Sequence, residues 1–98
     1  MDTKRIKLLP NRLQELRKIK GLSQTQVAQA IGVSIALYHR IENGERTIQD
    51  DYIDKLAKVL EIESEEIKSL VLADKIEDET NKYSQGIVDN AFKALNNK

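Results

Sequence analysis

The sequence predicts a small all-α fold with a C-terminal helical extension, and three observations point that way. Apolar residues recur at three- and four-residue spacing in short blocks along most of the chain. The blocks open on Pro, Ser or acidic residues and several close on Gly, which is the punctuation of helix starts and stops. Composition agrees: the 98 residues are 40% hydrophobic and 33% charged, with four Gly and one Pro. That balance suits a helical globular protein and argues against disorder, collagen or a multi-strand sandwich. A chain of this length is one domain, and it buries only about 60–65% of its unfolded surface.

The elements follow in order. Residues 11–20 place Leu13, Leu16 and Ile19 at helical spacing, with Pro10 near the start and Gly21 just past the end. Ser23 is the N-cap of a second helix, and Gln26, three residues on, completes a capping box. That helix shows Val27, Ala28 and Ile31 on one face and stops at Gly32. Ser34 caps a third, over residues 35–43, with Tyr38 and Ile41 facing inward and Asn43-Gly44 ending it as residues that tolerate positive φ. A polar loop at 45–49 leads to a fourth helix from about residue 50 or 51, striped by Ile53, Leu56, Ala57 and Leu60. Its early Asp50, Asp51 and Asp54 suit a helix N-terminus. Ser64-Glu65-Glu66 opens a fifth, carrying Ile67, Leu70 and Val71 and reaching towards residues 74–76. Residues 77–81 read either as an acidic break or as a solvated helix face. Ile87, Val88, Ala91, Phe92 and Leu95 then recur at helical spacing, which predicts a last helix over 82–96 despite Gly86.

Several function classes drop out. With no Cys, disulfides, thiolate zinc sites and cysteine nucleophiles are excluded together. His39 is the only histidine, so no imidazole cluster exists for a metal or a charge relay, and neither metal nor cofactor is expected. No nucleophile–base pair, recognisable carboxylate pair or phosphate loop is visible, and Ser23 and Ser34 are explained as helix caps, so no enzyme is expected. No apolar run approaches the roughly 18 residues of a membrane span. The basic start is not followed by a signal-peptide apolar region, and a cytoplasmic, nucleoid-associated location is expected.

The zero net charge hides a gradient. Residues 1–62 hold 11 Lys/Arg against 8 Asp/Glu, residues 63–98 hold 5 against 8, and the first 20 hold 7 against 2. A basic front and an acidic tail fit a polyanion-binding face plus a partner-facing segment, although a merely solvated helical surface fits the charge as well. Lys4, Arg5 and Lys7 read as a DNA-gripping arm over residues 1–8 or as a solvated tail.

The motif over about 24–43 is more specific. Two short helices joined around a Gly outline a helix-turn-helix. Ala28 stands where the two helices cross closely, and Gly32 turns the chain without a Cβ penalty. Val27, Ile31, Val33, Tyr38 and Ile41 anchor both helices to the core. This leaves one face of the second helix free: Ile35, Ala36, His39, Arg40 and Asn43.

At these residues the chain resembles a known family. Gly21-Leu22-Ser23-Gln24, Val27-Ala28, Gly32-Val33-Ser34 and the run from Arg40 through Ile41, Glu42, Asn43, Gly44 and Glu45 to Arg46 are similar to the XRE/Cro–cI class of phage and bacterial repressors. The resemblance covers residues 9–67 and implies a five-helix lambda-repressor-like domain, followed by an extension over 68–98. It implies an ion pair between Arg17 and Glu42 that orients helices more than it stabilises them. It also implies docking on double-stranded DNA, with helix 35–43 in the major groove. Ser23, Gln24 and Ser34 would then lie by phosphates at helix N-termini, and Asn43, Arg46 and Thr47 would hold the flanking backbone. Ile35, Ala36, His39 and Arg40 would face base edges, with Arg40 placed for guanine. Readers at the start of this helix are often polar in the family. Here Ile35 and Ala36 would pack on thymine methyls, unless Ile35 packs on a neighbouring helix instead.

These readings combine into a transcriptional regulator, acting as a repressor on a two-fold symmetric operator. One such domain reads only a few base pairs, so a homodimer is expected. Ile67, Leu70, Val71, Ile87, Val88, Phe92 and Leu95 are its expected interface. The alternative is an antitoxin or accessory regulator whose acidic segment, residues 63–98, binds a protein partner.

Overall fold

A computed structural model describes residues 7–96 of the chain. Lys4 and Arg5 of the expected N-terminal arm lie outside them. The described residues form six helices: α1 Leu8–Ile19, α2 Gln24–Ile31, α3 Ile35–Glu42, α4 Asp50–Leu60, α5 Ser64–Thr80 and α6 Gln85–Asn96. No strand occurs among the described residues.

The caps explain the short connections at the motif. The Ser23 hydroxyl accepts from the Gln26 N–H at 3.0 Å while the Gln26 side chain accepts from the Ser23 N–H at 2.8 Å, a reciprocal capping box. The Ser34 hydroxyl accepts from the Leu37 N–H at 3.0 Å. Between them Gly32 sits at φ 82°, and its N–H and that of Val33 both return to the Ala28 carbonyl. That left-handed C-cap turns α2 into α3 within three residues. At the end of α3 the positive φ falls on Gly44, at 78°, whereas Asn43 stays right-handed. The end of α4 follows no Gly signal: Glu61 itself adopts φ 59°, and its carboxylate pairs with Lys20.

The core is a single cluster drawn from α1 through α5. Leu13, Val27, Ala28, Ile31, Tyr38, Leu56, Leu60 and Ile67 all have no exposed surface. α1 packs on α3 and α5, α2 packs on α3 and α4, and α4 packs on α5. Fully burying a large apolar side chain is worth about 1.5–3 kcal/mol, so this one cluster supplies the main driving force.

One expectation is corrected here, and one open alternative is resolved. Ile67, expected at a dimer interface, faces inward from the first turn of α5 and is completely buried against the core. Leu70 and Val71 are half-buried on the same cluster. Periodicity identified an apolar stripe but not which body it faces, and the proximal half of α5 covers its own domain. The acidic segment 77–81 does not break the chain, because α5 runs on to Thr80 and crosses the 67/68 boundary without interruption. Charges solvate a helix without ending it, and no Gly or Pro intervenes before Gly86.

The distal half of α5 and all of α6 form the extension. No residue of α6 is buried. Ile87, Phe92 and Leu95, together with Ile76 and Tyr83, are each between 44% and 59% exposed. They and the half-buried Val88 line an open apolar groove of about 650 Å³. The radius of gyration, 15.7 Å, exceeds the roughly 13 Å of a compact domain this long, consistent with a projecting extension.

Candidate nucleic-acid interface

α3 is an amphipathic helix with one face fixed and one face free. Tyr38, Ile41 and Glu42 are buried, whereas Ile35, Ala36, His39, Arg40 and the C-cap Asn43 are exposed together. Ile35 is 49% exposed, so it does not pack into the core. Ser23 and Ser34, at the N-caps of α2 and α3, and Arg46 and Thr47, in the loop beyond α3, are exposed as well. Gln24, the first residue of α2, is half-buried. The guanidinium groups of Arg40 and Arg46 make no hydrogen bond or ion pair with any described residue, so two cations stand unneutralised on or beside the free face.

The position of that face is set by a buried ion pair. Arg17 on α1 donates to both carboxylate oxygens of Glu42, from Nε at 2.7 Å and from Nη2 at 3.1 Å, and its Nη1 donates to the Leu22 carbonyl at 2.9 Å. Gln14 donates to the Glu42 backbone carbonyl at 2.8 Å. The Glu42 side chain has no exposed surface and that of Arg17 is 14% exposed. Burial alone would raise the Glu42 carboxyl. The hydrogen bonds from Arg17 and Gln24 and the guanidinium charge outweigh it and hold the group below its ordinary value. The Tyr38 hydroxyl is buried near this carboxylate without a hydrogen bond of full geometry. Burial first, then the neighbouring carboxylate, push the phenol far above its ordinary value.

Two contacts were not legible in the sequence. Gln24 bridges α2 to α3: its Nε2 donates to Glu42 Oε1 at 3.0 Å and its Oε1 meets His39 Nδ1 at 3.2 Å. Asn43 Nδ2 lies 3.0 Å from His39 Nε2. The second is a clamp at the start of α1. Asp74 on α5 accepts from the N–H groups of Leu8 and Leu9 at 2.8 and 3.0 Å, and Lys7 pairs with Asp78 at 3.4 Å. Lys7 thus lies against the domain. No local spacing announces a cap supplied from 66 residues away.

Among the described residues no group of His, Asp and Glu could hold a metal ion, and no helix is long and apolar enough to cross a membrane. A family profile described as helix-turn-helix matches residues 13–67, which is α1 through the start of α5. The chain is also 36% identical over 56 residues to an uncharacterised HTH-type transcriptional regulator, YazB, of Bacillus subtilis strain 168. That match covers 57% of this chain and 81% of YazB. No solved structure matches.

Proposed function

Since the chain belongs to the XRE-type helix-turn-helix family of DNA-binding transcriptional regulators, we propose that it is a repressor that reads a two-fold symmetric operator as a homodimer. The observation that carries this reading is the free face of α3. One helix is anchored by Tyr38, Ile41 and the Arg17–Glu42 pair, and it offers Ile35, Ala36, His39, Arg40 and Asn43 to solvent on its other side. An α-helix fits the major groove, and each exposed residue type has a partner there. Arg40 fits the paired acceptors of guanine, and Ile35 and Ala36 fit thymine methyls, so the half-site includes A·T pairs. Backbone N–H groups at the N-termini of α2 and α3, beside Ser23, Gln24 and Ser34, favour phosphate. Asn43, Arg46 and Thr47 reach the flanking backbone.

The dimer is assigned to the extension. A single domain reads too few base pairs for useful affinity, and two half-sites about one helical turn apart require two copies. The apolar groove between the distal half of α5 and α6 is the exposed surface of suitable chemistry, and its occupant is a second copy. Selection from a random duplex library at two salt concentrations tests the whole reading. A symmetric motif is expected, relaxed at one position by Arg40→Ala and weakened by salt. Binding that is only salt-labile and sequence-independent refutes it. Phe92→Glu is expected to leave a folded monomer; a dimer that survives it places the interface elsewhere.

A further inference from the structure

A small cleft of about 50 Å³ beside the flanking loop brings together parts of the chain that are far apart in sequence. The loop after α3 contributes Gly44, Arg46 and Thr47, and the middle of α5 contributes Asp74, Lys75 and Asp78. Both sides are held against the start of α1. A Cβ added to Gly44 would lie 3.6 Å from Lys7 Cδ and from Pro10 Cγ, and Asp74 accepts from the Leu8 and Leu9 N–H groups. Lys75, the next residue, is therefore carried at a set position relative to Arg46 and Thr47.

The carboxylates around this cleft are all in use. Asp74 is bonded to α1, and Asp78 pairs with Lys7. A lysine on a helix ordinarily pairs with a carboxylate three or four residues away. For Lys75 those residues are Asp78 and Glu79, and Glu79 pairs with Lys82 at 3.1 Å. Lys75 is exposed and makes no hydrogen bond or ion pair with any described residue. Two unpaired cations, Lys75 and Arg46, thus line one cleft beside the Thr47 hydroxyl.

We propose that Lys75, with Arg46 and Thr47, binds a phosphate of the DNA backbone, so that the DNA footprint runs from the helix-turn-helix domain into the extension. This rests on the reading of α3 as a major-groove helix flanked by Arg46 and Thr47. Residue 75 lies beyond the family profile, which ends at 67. The ligand class follows from the groups present: ammonium, guanidinium and hydroxyl all donate, and a phosphodiester oxygen accepts whatever the base sequence. A small molecule is excluded by size, since such ligands occupy pockets of about 300–1,000 Å³. A backbone strand passing Arg46 needs no pocket and lies across the mouth of the cleft. The rest of the extension is acidic, with 5 Lys against 8 Asp/Glu over residues 63–98. Lys75 is where that segment can meet a polyanion.

The salt dependence of DNA binding by the full chain tests this. Lys75→Gln is expected to weaken binding equally for all sequences and to flatten the slope of log K against log salt by about 0.9 for each copy bound. Lys75→Arg keeps the slope. Lys93→Gln on α6 removes the same charge away from the cleft and is expected to change nothing; equal flattening by both overturns the assignment. Lys75 also borders the apolar groove, so sedimentation accompanies the titration, and flattening that appears only with a changed oligomeric state overturns it too. A scan of single neutral methylphosphonate linkages locates the contact. One flanking linkage in each half-site is expected to weaken the wild type and to have no effect on Lys75→Gln. If Lys75→Gln responds at every linkage the wild type does, Lys75 touches no phosphate. Should selection yield no motif, the operator reading falls, while the slope on a random duplex still decides for or against Lys75.

Discussion

Removing the carboxylate of Asp74 tests whether the extension is part of the domain or hangs from it. α1 begins without a cap of its own: Lys7 holds the N-cap position in an extended conformation and contributes no side-chain bond. Pro10 has no N–H to satisfy, and Asp74 takes those of Leu8 and Leu9 at 2.8 and 3.0 Å. Losing an N-cap costs about 0.5–2 kcal/mol. Losing the negative charge at the positive end of the helix costs about 0.3–1 kcal/mol more. Asp74→Ala is therefore expected to destabilise the protein by about 1–3 kcal/mol, or roughly 4–24 °C in Tm for a domain of this size. Asp74→Asn retains one accepting oxygen and no charge, and should lose about half as much. Urea unfolding followed by circular dichroism measures both. Asp78→Ala serves as the control, since the Lys7–Asp78 pair is solvent-exposed on both sides and belongs to the weak class. An Asp74→Ala protein within about 0.5 kcal/mol of wild type, the range of inert surface changes, would refute the argument. Hydrogen exchange should also show faster opening in α5 beyond Val71, because the clamp is what holds that half against α1.

Three further outcomes follow from the buried site. Arg17→Ala leaves the fully buried Glu42 carboxylate without its cation and is expected to cost about 3–5 kcal/mol. The pair Arg17→Met with Glu42→Leu should recover most of this, and if it does not, packing is at fault and not the orphaned charge. The Glu42 carboxyl is held below its ordinary value of 4.5, so its contribution is complete above that pH and is lost as pH falls through the lower folded value. Acid unfolding should accordingly be shallower in Glu42→Gln, and parallel curves would count against the shift. Tyr38→Phe removes a buried hydroxyl that has no hydrogen bond of full geometry, and is expected to be neutral or to gain about 1 kcal/mol. A loss would mean that the hydroxyl bonds to Glu42. Gly32→Ala meets no atom within 4 Å of the added Cβ, so only the φ of 82° opposes it, at about 1–2 kcal/mol by thermal melting.

The helices from α1 to α4 and the free face of α3 were legible in the sequence because their signals are local. Ser23 with Gln26 and Ser34 are caps that act within one turn, and Gly32 is required by a single left-handed residue. The stripe of Val27, Ile31, Tyr38 and Ile41 states which side of the motif is buried whatever it is buried against. The fate of α5 was less legible, since Ile67, Leu70 and Val71 have the same periodicity whether they face their own domain or a second copy. The acidic run at 77–81 was ambiguous for a related reason: charge is compatible with helix and with loop.

By itself, then, the sequence determined the helical class, the order of the elements and the motif. Each follows from interactions between residues within about four positions of one another, which any chain with this pattern makes. Only the tertiary structure decided that Asp74 closes the start of α1 and that Ile67 completes the core. It alone decided that Gln24 couples the buried Glu42 to His39 and Asn43. Apart from the local His39–Asn43 contact, four positions apart, those contacts join residues 15 to 66 positions apart, and their geometry exists only once the helices have packed. A side-chain amide or carboxylate then finds its partner through where the cores have placed it, with no spacing rule in the chain to announce the match.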